Sequence, residues 1–320
     1  MRPTLYRHPH GITAVDAEYL YPGHAAAHVI EDCGRAAFVD VGTNASVPYL
    51  LAALEELGIE RSAVDYLLLT HVHLDHAGGA GLLMRELPHA RALLHPRGAP
   101  HMIDPAKLIA GVKAVYGDEP FGRLYGELLP IAAERVRMVR DGERIQLGSR
   151  TLELIHTPGH AQHHYVVVDQ AHRSIFTGDT FGISYRALDT RHGAFIVPST
   201  VPTQFDPAQH LASIDRMLGY EPESMYLMHF SRVTGVPRLA ALLRERIPEL
   251  ASIARAHAAD ADPTPGIRAE MLALWVRLAR REGSTLSEAH LGEALSGDLT
   301  LNTQGLISWL GRERTREMKP

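Results

Sequence analysis

Residues 64–76 read Val-Asp-Tyr-Leu-Leu-Leu-Thr-His-Val-His-Leu-Asp-His, an apolar run that leads directly into a histidine-rich segment. The apolar run predicts a buried strand, and the end of a strand is a rigid support for ligand side chains. His71 and His73 lie two positions apart and can face one metal ion, while Asp75 and His76 can turn toward a second. Nitrogen and oxygen donors without sulfur suit zinc, iron or manganese. The segment therefore predicts a metal site.

Three later segments also place a possible ligand at or just after a strand-like run. They end in His160 of Thr-Pro-Gly-His, Asp179 of Phe-Thr-Gly-Asp and His229 of Met-His. One such residue alone is typical of an ordinary turn. Their order after the histidine-rich segment is what makes them candidates for the same site.

Strand-like and helical patterns alternate along the first part of the chain, as in layered α/β proteins. Residues 47–57 and 207–218 have helical patterns, the second with Asp206 as its N-cap. Residues 96–137 predict a helical insertion, with helices at 105–115 and 121–133. The runs that predict strands are residues 36–41, 64–69, 91–95, 151–155, 165–168 and 225–228.

The motifs resemble those of the metallo-β-lactamase superfamily over about residues 38–230. The resemblance implies an α/β fold, a four-layer αββα sandwich with its site at one edge of the two sheets. The helical insertion and a C-terminal helical extension would be additions to that sandwich. The five superfamily motifs are matched, in order, by Asp40, residues 71–76, His160, Asp179 and His229.

The resemblance also implies how the ligands are shared between two divalent metal ions. Zinc is the first choice of metal, and iron or manganese are alternatives. Asp40 would orient a ligand imidazole, and we expect His163 and His164 to lie outside the ligand set. The implied ligands are His71, His73 and His160 for the first ion, Asp75, His76 and His229 for the second, and Asp179 as a bridge between both.

These ligands predict a dinuclear metal-dependent hydrolase in which a metal-bound hydroxide attacks the substrate and Asp75 acts as the catalytic carboxylate. The bridging Asp179, and the absence of both a Glu at position 73 and a flavodoxin domain, favour the glyoxalase II-like, lactonase and phosphodiesterase branches. The expected substrate is a small ester, thioester, lactone or phosphodiester. Two alternatives stay open: a mononuclear iron oxidoreductase similar to persulfide dioxygenases, and a sensory or binding protein that keeps the metal site.

Composition narrows the partners of the chain. Its 320 residues carry a net charge of −5, so no broad positive field favours nucleic acid or anionic membranes. Cys33 is the single cysteine, which excludes an intrachain disulfide. The first ten residues lack the apolar stretch of a secretory signal. We therefore expect a cytoplasmic protein with a small-molecule substrate and no membrane segment.

The predicted domain organisation is a catalytic domain at residues 1–236 and a helical extension at residues 237–320. Within the extension, residues 267–281 place Met271, Leu274 and Trp275 on one helix face. This helical extension has no recognisable motif. A packing element, a homodimer contact and a substrate-binding element are all open as its role.

Overall fold

The computed structural model describes residues 2–317, which fall into two compact units. Unit 1 consists of the residues up to 156, together with residues 163–178 and 220–232. Unit 2 consists of residues 157–162 and 179–219 and of the residues from 233 onward. Unit 2 thus includes the predicted extension, and the proposed boundary at residue 236 stays a prediction.

The first sheet has seven strands in sequential order. Its first four strands are antiparallel, and β4 to β7 run parallel, so the carboxyl ends of those four strands lie at one edge. The strands are β1 Leu5–His8, β2 Ile12–Asp16, β3 Ala26–Asp32, β4 Arg35–Val39, β5 Val64–Leu68, β6 Arg91–Leu94 and β7 Val136–Met138.

The second sheet has six strands in the order β13-β12-β11-β10-β9-β8. Strands β8 to β11 are antiparallel, and β11 pairs with β12 in parallel. Every run that predicted a strand coincides with an observed strand. The strands are β8 Glu143–Leu147, β9 Arg150–His156, β10 Tyr165–Asp169, β11 Ser174–Gly178, β12 Ser224–Leu227 and β13 Ser231–Val233.

The two sheets share one apolar core. Leu68 and Leu93 of the first sheet belong to the same buried cluster as Leu152, Tyr165 and Phe176 of the second. All five side chains are fully buried, and burial of apolar surface is the main stabilising term of folding. Two mixed sheets packed with helices, followed by C-terminal helices, confirm the predicted α/β class.

The described residues of unit 1 form six α-helices. Helix α1 packs Leu50 and Leu54 onto the first sheet, and Gly58 ends it in the left-handed conformation. The first predicted helix of the insertion is confirmed as α5. These helices are α1 Val47–Leu57, α2 Leu74–Ala77, α3 Ala80–Glu86, α4 Ala99–Ile103, α5 Ala106–Tyr116 and α6 Asp118–Tyr125.

The predicted helix at residues 121–133 is wrong over its second half. Helix α6 ends at Tyr125 because Gly126 takes a positive φ of 63°, a conformation that ends helices. Pro130 follows and cannot continue a helical hydrogen-bond ladder. The α-helices of the insertion therefore end at Tyr125, earlier along the chain than the sequence pattern suggests.

Unit 2 is helical. Asp206 caps the first of its helices, and its side chain accepts hydrogen bonds from the backbone of Ala208 and Gln209, as predicted. Met271, Leu274 and Trp275 are buried, which confirms the predicted apolar face. The α-helices are α7 Pro207–Leu218, α8 Val236–Ala256, α9 Thr264–Arg281, α10 Glu288–Ala294 and α11 Ser296–Glu317. Among the described residues, every helix is too short or too polar to cross a bilayer.

His28 on β3 makes stability depend on pH. Burial, and then the nearby His8, lower the pKa of His28 from 6.5 to about 3. Between these values the unfolded chain binds a proton that the folded chain excludes, so the free energy of unfolding falls as the pH falls. We expect a slope from this residue of up to about 1.4 kcal/mol per pH unit.

Urea unfolding at several pH values between neutral and acid, on wild type and on His28→Gln, measures this slope. The exposed His89→Gln serves as the matched control. As the pH falls, we expect the free energy of unfolding of the wild type to decrease more than that of His28→Gln. A pH-independent difference would contradict the assignment of a neutral buried imidazole.

Candidate metal centre

Asp40 directly follows β4. Its carboxylate accepts three hydrogen bonds, two from Thr70, which precedes the histidine-rich segment, and one from His76 within that segment. Its carboxylate accepts hydrogen bonds from the Thr70 backbone N–H at 2.9 Å and from the Thr70 hydroxyl at 2.8 Å. His76 Nδ1–H donates to the same carboxylate at 2.8 Å. Asp40 is 2% exposed and has a positive φ of 53°, an uncommon backbone conformation that often marks functional positions.

His71 and His73 converge just beyond β5. Thr70 Oγ1 lies 3.0 Å from His71 Nδ1, and because this hydroxyl already donates to Asp40, it accepts from the imidazole. The other nitrogen, His71 Nε2, lies 2.8 Å from His73 Nδ1. The two nitrogens are thus brought together, as the two-residue spacing predicts.

Asp75, His76 and His229 form a second group within unit 1. One ligand atom from each lies within 4.8 Å of the other two. Asp75 Oδ2 is 3.3 Å from His229 Nε2 and 3.9 Å from His76 Nε2. His229 Nδ1–H donates to the backbone carbonyl of His24 at 2.9 Å. The carboxylate and two Nε2 atoms therefore converge within reach of one ion.

Unit 2 contains a third group of candidate ligands, formed by His160 and Asp179. His160 Nδ1–H donates to the Ser199 carbonyl at 3.2 Å, and His160 Nε2 lies 3.6 Å from Asp179 Oδ2. The Ser199 hydroxyl donates to the same Asp179 oxygen at 3.3 Å. Ser199 therefore orients both predicted ligands, and both are 5% exposed or less.

Four of the imidazoles share one pattern. In His71, His76, His160 and His229, Nδ1 bonds to a protein oxygen, which leaves Nε2 to face another candidate ligand. Ligand histidines in metalloproteins are fixed in this way, because the partner of one nitrogen sets the tautomer and aims the other. The donor set fits divalent zinc, iron or manganese.

His163 and His164 lie against the ligand rings of unit 1. The His164 ring centroid is 4.8 Å from that of His71, and the His163 ring is parallel to His71 at 6.2 Å. Gly178 makes room for this layer, since an added Cβ there would lie 2.6 Å from Thr70 Oγ1 and 2.7 Å from His164 Nε2. These histidines therefore form part of the packing around the candidate ligands.

His24 contacts the candidate ligand His229 in a way that the sequence pattern does not reveal. Its backbone carbonyl orients His229, and its ring lies 5.0 Å from the His229 ring. A backbone carbonyl has no side-chain signature, and the two residues are 205 positions apart. Spacing along the chain therefore carries no signal for this contact.

Comparison with known sequences identifies several relatives. The chain is 28% identical over 227 residues to the metallo-beta-lactamase fold-containing protein ST1585 of Sulfurisphaera tokodaii, covering 69% of this chain and 77% of that protein. It is 32% identical over 128 residues to a hydroxyacylglutathione hydrolase of Aeromonas hydrophila, covering 40% of this chain and 37% of the enzyme. The chain thus spans well under half of that enzyme.

Solved structures share the fold. The crystal structure of ST1585 aligns with a TM-score of 0.66 at 23% identity, covering 93% of this chain and 99% of that one. The metallo-beta-lactamase family protein TTHA1429 of Thermus thermophilus aligns with a TM-score of 0.63 at 20% identity, covering 98% of this chain and 92% of that one.

The family model of the metallo-beta-lactamase superfamily matches residues 20–229, about two thirds of the chain. The chain therefore belongs to the metallo-β-lactamase superfamily.

Proposed function

We propose that this protein is a dinuclear metal-dependent hydrolase that acts on a small ester, thioester, lactone or phosphodiester. Zinc is the proposed metal, with iron or manganese as alternatives. Asp179 is the proposed bridge between the two ions. The proposed ligands are His71, His73 and His160 for the first ion and Asp75, His76 and His229 for the second.

The observation that supports this proposal most strongly is the orientation of the imidazoles. His76 and His229 are each fixed through Nδ1, and each presents Nε2 to the carboxylate of Asp75. A purely structural histidine cluster has no need for such a uniform arrangement, whereas a metal ion requires it. Hydroxyacylglutathione hydrolases among the relatives add support for hydrolysis.

Divalent ions bound here would lower the pKa of a coordinated water toward neutrality and polarise the substrate oxygen. The protein groups have separate tasks. Asp40 and the His24 carbonyl hold the ligand imidazoles in place. The Asp75 side chain is 22% exposed, whereas the His76 side chain is fully buried, so Asp75 is more open to solvent and substrate than His76. Asp75 would accept a proton from the attacking water and return it to the leaving group.

The test uses the full chain, stripped with a chelator and reloaded with zinc, manganese or iron(II). We expect two ions per chain by elemental analysis and metal-dependent hydrolysis of one substrate class. A panel of phosphodiester, thioester, carboxylic ester and lactone substrates covers the classes proposed. One iron per chain, substrate-dependent oxygen uptake and no hydrolysis would replace this proposal with the dioxygenase alternative.

A further inference from the structure

A cluster of aromatic residues lies beside the second group of candidate ligands. We name it the aromatic wall and define it as Tyr19, Tyr21, Tyr116, Phe121 and Tyr125. Two come from the loop between β2 and β3, and three come from the end of α5 and from α6. The wall is thus built by two segments of unit 1 that are far apart in sequence.

The wall is held together by specific contacts. The Tyr19 and Tyr125 hydroxyls lie 3.0 Å apart, and their rings are stacked at 6.3 Å. The Tyr125 ring also has Tyr116 at 6.1 Å and Phe121 at 5.8 Å. Aromatic pairs at these separations add stability beyond simple burial. Tyr125 is therefore the centre of the wall.

Polar anchors fix both segments. The Asp16 carboxylate accepts from the backbone N–H groups of Glu18 at 2.9 Å and Gly23 at 2.7 Å, which shapes the loop that carries Tyr19. The Asn44 side-chain amide donates to the Tyr125 carbonyl at 3.2 Å. The same loop supplies the His24 carbonyl that orients His229. The loop between β2 and β3 therefore positions both the wall and the candidate ligand His229.

The wall lies next to Asp75. Tyr19, Phe121 and Tyr125 share one buried cluster with Leu74 and Met228, the residues that immediately precede Asp75 and His229. Burial raises the pKa of Tyr19 and Tyr125, and the charge of Asp75 raises it further in both. Both phenols are thus neutral hydrogen-bonding groups close to the candidate catalytic carboxylate.

An accessible apolar surface continues from the wall. Leu108, Ile109 and Val112 of α5 pack against the same cluster and stay only partly buried, and α5 has no fully buried residue. In the loop, Leu20 is 58% exposed and Tyr21 is 46% exposed. Apolar side chains left open beside a catalytic site mark a ligand-binding surface.

The charged side chains around this surface indicate which class of ligand it can bind. The loop at residues 17–25 contains Glu18 and has neither Lys nor Arg. On α5 and α6, Lys113 pairs with Asp118 at 2.8 Å and Arg123 pairs with Glu119 at 3.4 Å. The exposed Lys107 lies on a different face of α5 from Leu108 and Val112. An anionic substrate is recognised by free cations, Arg above all. This surface instead favours an uncharged group.

We propose that the exposed Leu20 and Tyr21 and the partly exposed face of α5, supported by the buried residues of the aromatic wall, bind the apolar acyl group of an uncharged ester, thioester or lactone, and so select against phosphodiesters and glutathione thioesters. This proposal rests on the proposed hydrolase function. Burial of each added methylene against such a surface contributes about 0.8 kcal/mol, or about fourfold in kcat/KM. Selectivity should therefore rise with acyl chain length.

The experiment compares acetyl, hexanoyl and decanoyl thioesters of N-acetylcysteamine, hexanoyl-glutathione and bis(p-nitrophenyl) phosphate with the zinc-loaded full chain. We expect kcat/KM to rise from acetyl to decanoyl, and the neutral hexanoyl thioester to exceed hexanoyl-glutathione by tenfold or more. Val112→Asn should lower kcat/KM at least about tenfold more for the decanoyl than for the acetyl thioester. Ala114→Asn, an exposed position on the same helix, is the matched control.

Calorimetric binding of the inert decanoyl and acetyl amides separates the two proposals. Chain-length-dependent amide binding that is weakened by Val112→Asn, without hydrolysis of any substrate, would leave this inference standing and remove the hydrolase function. Thioester hydrolysis with no chain-length preference, or an equal loss for both chain lengths in Val112→Asn, would overturn the inference and keep the hydrolase. A preference for the glutathione thioester or the phosphodiester would also overturn it.

Discussion

Replacing Asp179 with alanine is expected to leave one bound ion or fewer per chain and to abolish hydrolysis. Two divalent cations repel each other four times as strongly as two unit charges at the same separation. A bridging carboxylate offsets that repulsion, and no other carboxylate in the proposed ligand set is assigned to both ions. Loss of one ion removes part of the electrostatic stabilisation of the transition state, so we expect a decrease in kcat of at least about a thousandfold.

Elemental analysis after dialysis against dilute zinc, together with kcat for the best substrate, measures both effects. Ser199→Ala is the matched variant, because Ser199 donates to Asp179 at 3.3 Å and leaves the carboxylate in place. We expect it to keep both ions and to lower metal affinity by about tenfold. Two tightly bound ions in Asp179→Ala would refute the bridge and keep a dinuclear site that holds both ions without Asp179.

Much of this architecture is predictable from sequence because strand ends and ligands coincide. β5 is an almost continuous apolar run, and the histidines follow it directly, so strand and site are visible in one stretch. The position of Asp40 is also predictable, since it follows a clear strand, and its hydrogen bond to His76 is compatible with the orienting role that the resemblance implies. Local patterns succeed where one short segment determines both the fold and the chemistry.

Other parts of the structure are not predicted by local sequence patterns, for physical reasons. Strand β3 contains the buried His28 and ends with Glu31 and Asp32, so its hydrophobic signal is weak. Tyr19 and Tyr125 are 106 residues apart, and their contact depends on how the insertion packs. Helix α5 ends at Tyr116 and α6 ends at Tyr125, and neither boundary reveals the aromatic wall. Substrate selectivity is set by such long-range contacts, which local periodicity does not encode.

Asp40→Asn tests whether a hydrogen bond to a ligand histidine controls metal binding. Asparagine is nearly isosteric with aspartate and tolerates the left-handed backbone at this position, where φ is 53°. The Asn oxygen can still accept from the Thr70 backbone N–H. Its NH₂ group would then face His76 Nδ1, which must become an acceptor. The proton moves to His76 Nε2, the nitrogen assigned to the second ion.

We therefore expect Asp40→Asn to weaken binding of the second ion by about 10- to 100-fold, with the first ion retained. Zinc titration calorimetry of the metal-free protein measures each step, and nitrogen NMR of the His76 ring reports the tautomer. Asp65→Asn, which removes a surface partner of Arg35, is the control and should leave both steps unchanged. If the second step keeps its affinity while the His76 tautomer changes, then His76 does not bind the metal through Nε2. If the affinity of the second step and the tautomer of His76 both stay unchanged, the Asp40 carboxylate is not needed to set that tautomer. Asp40 then has no orienting role.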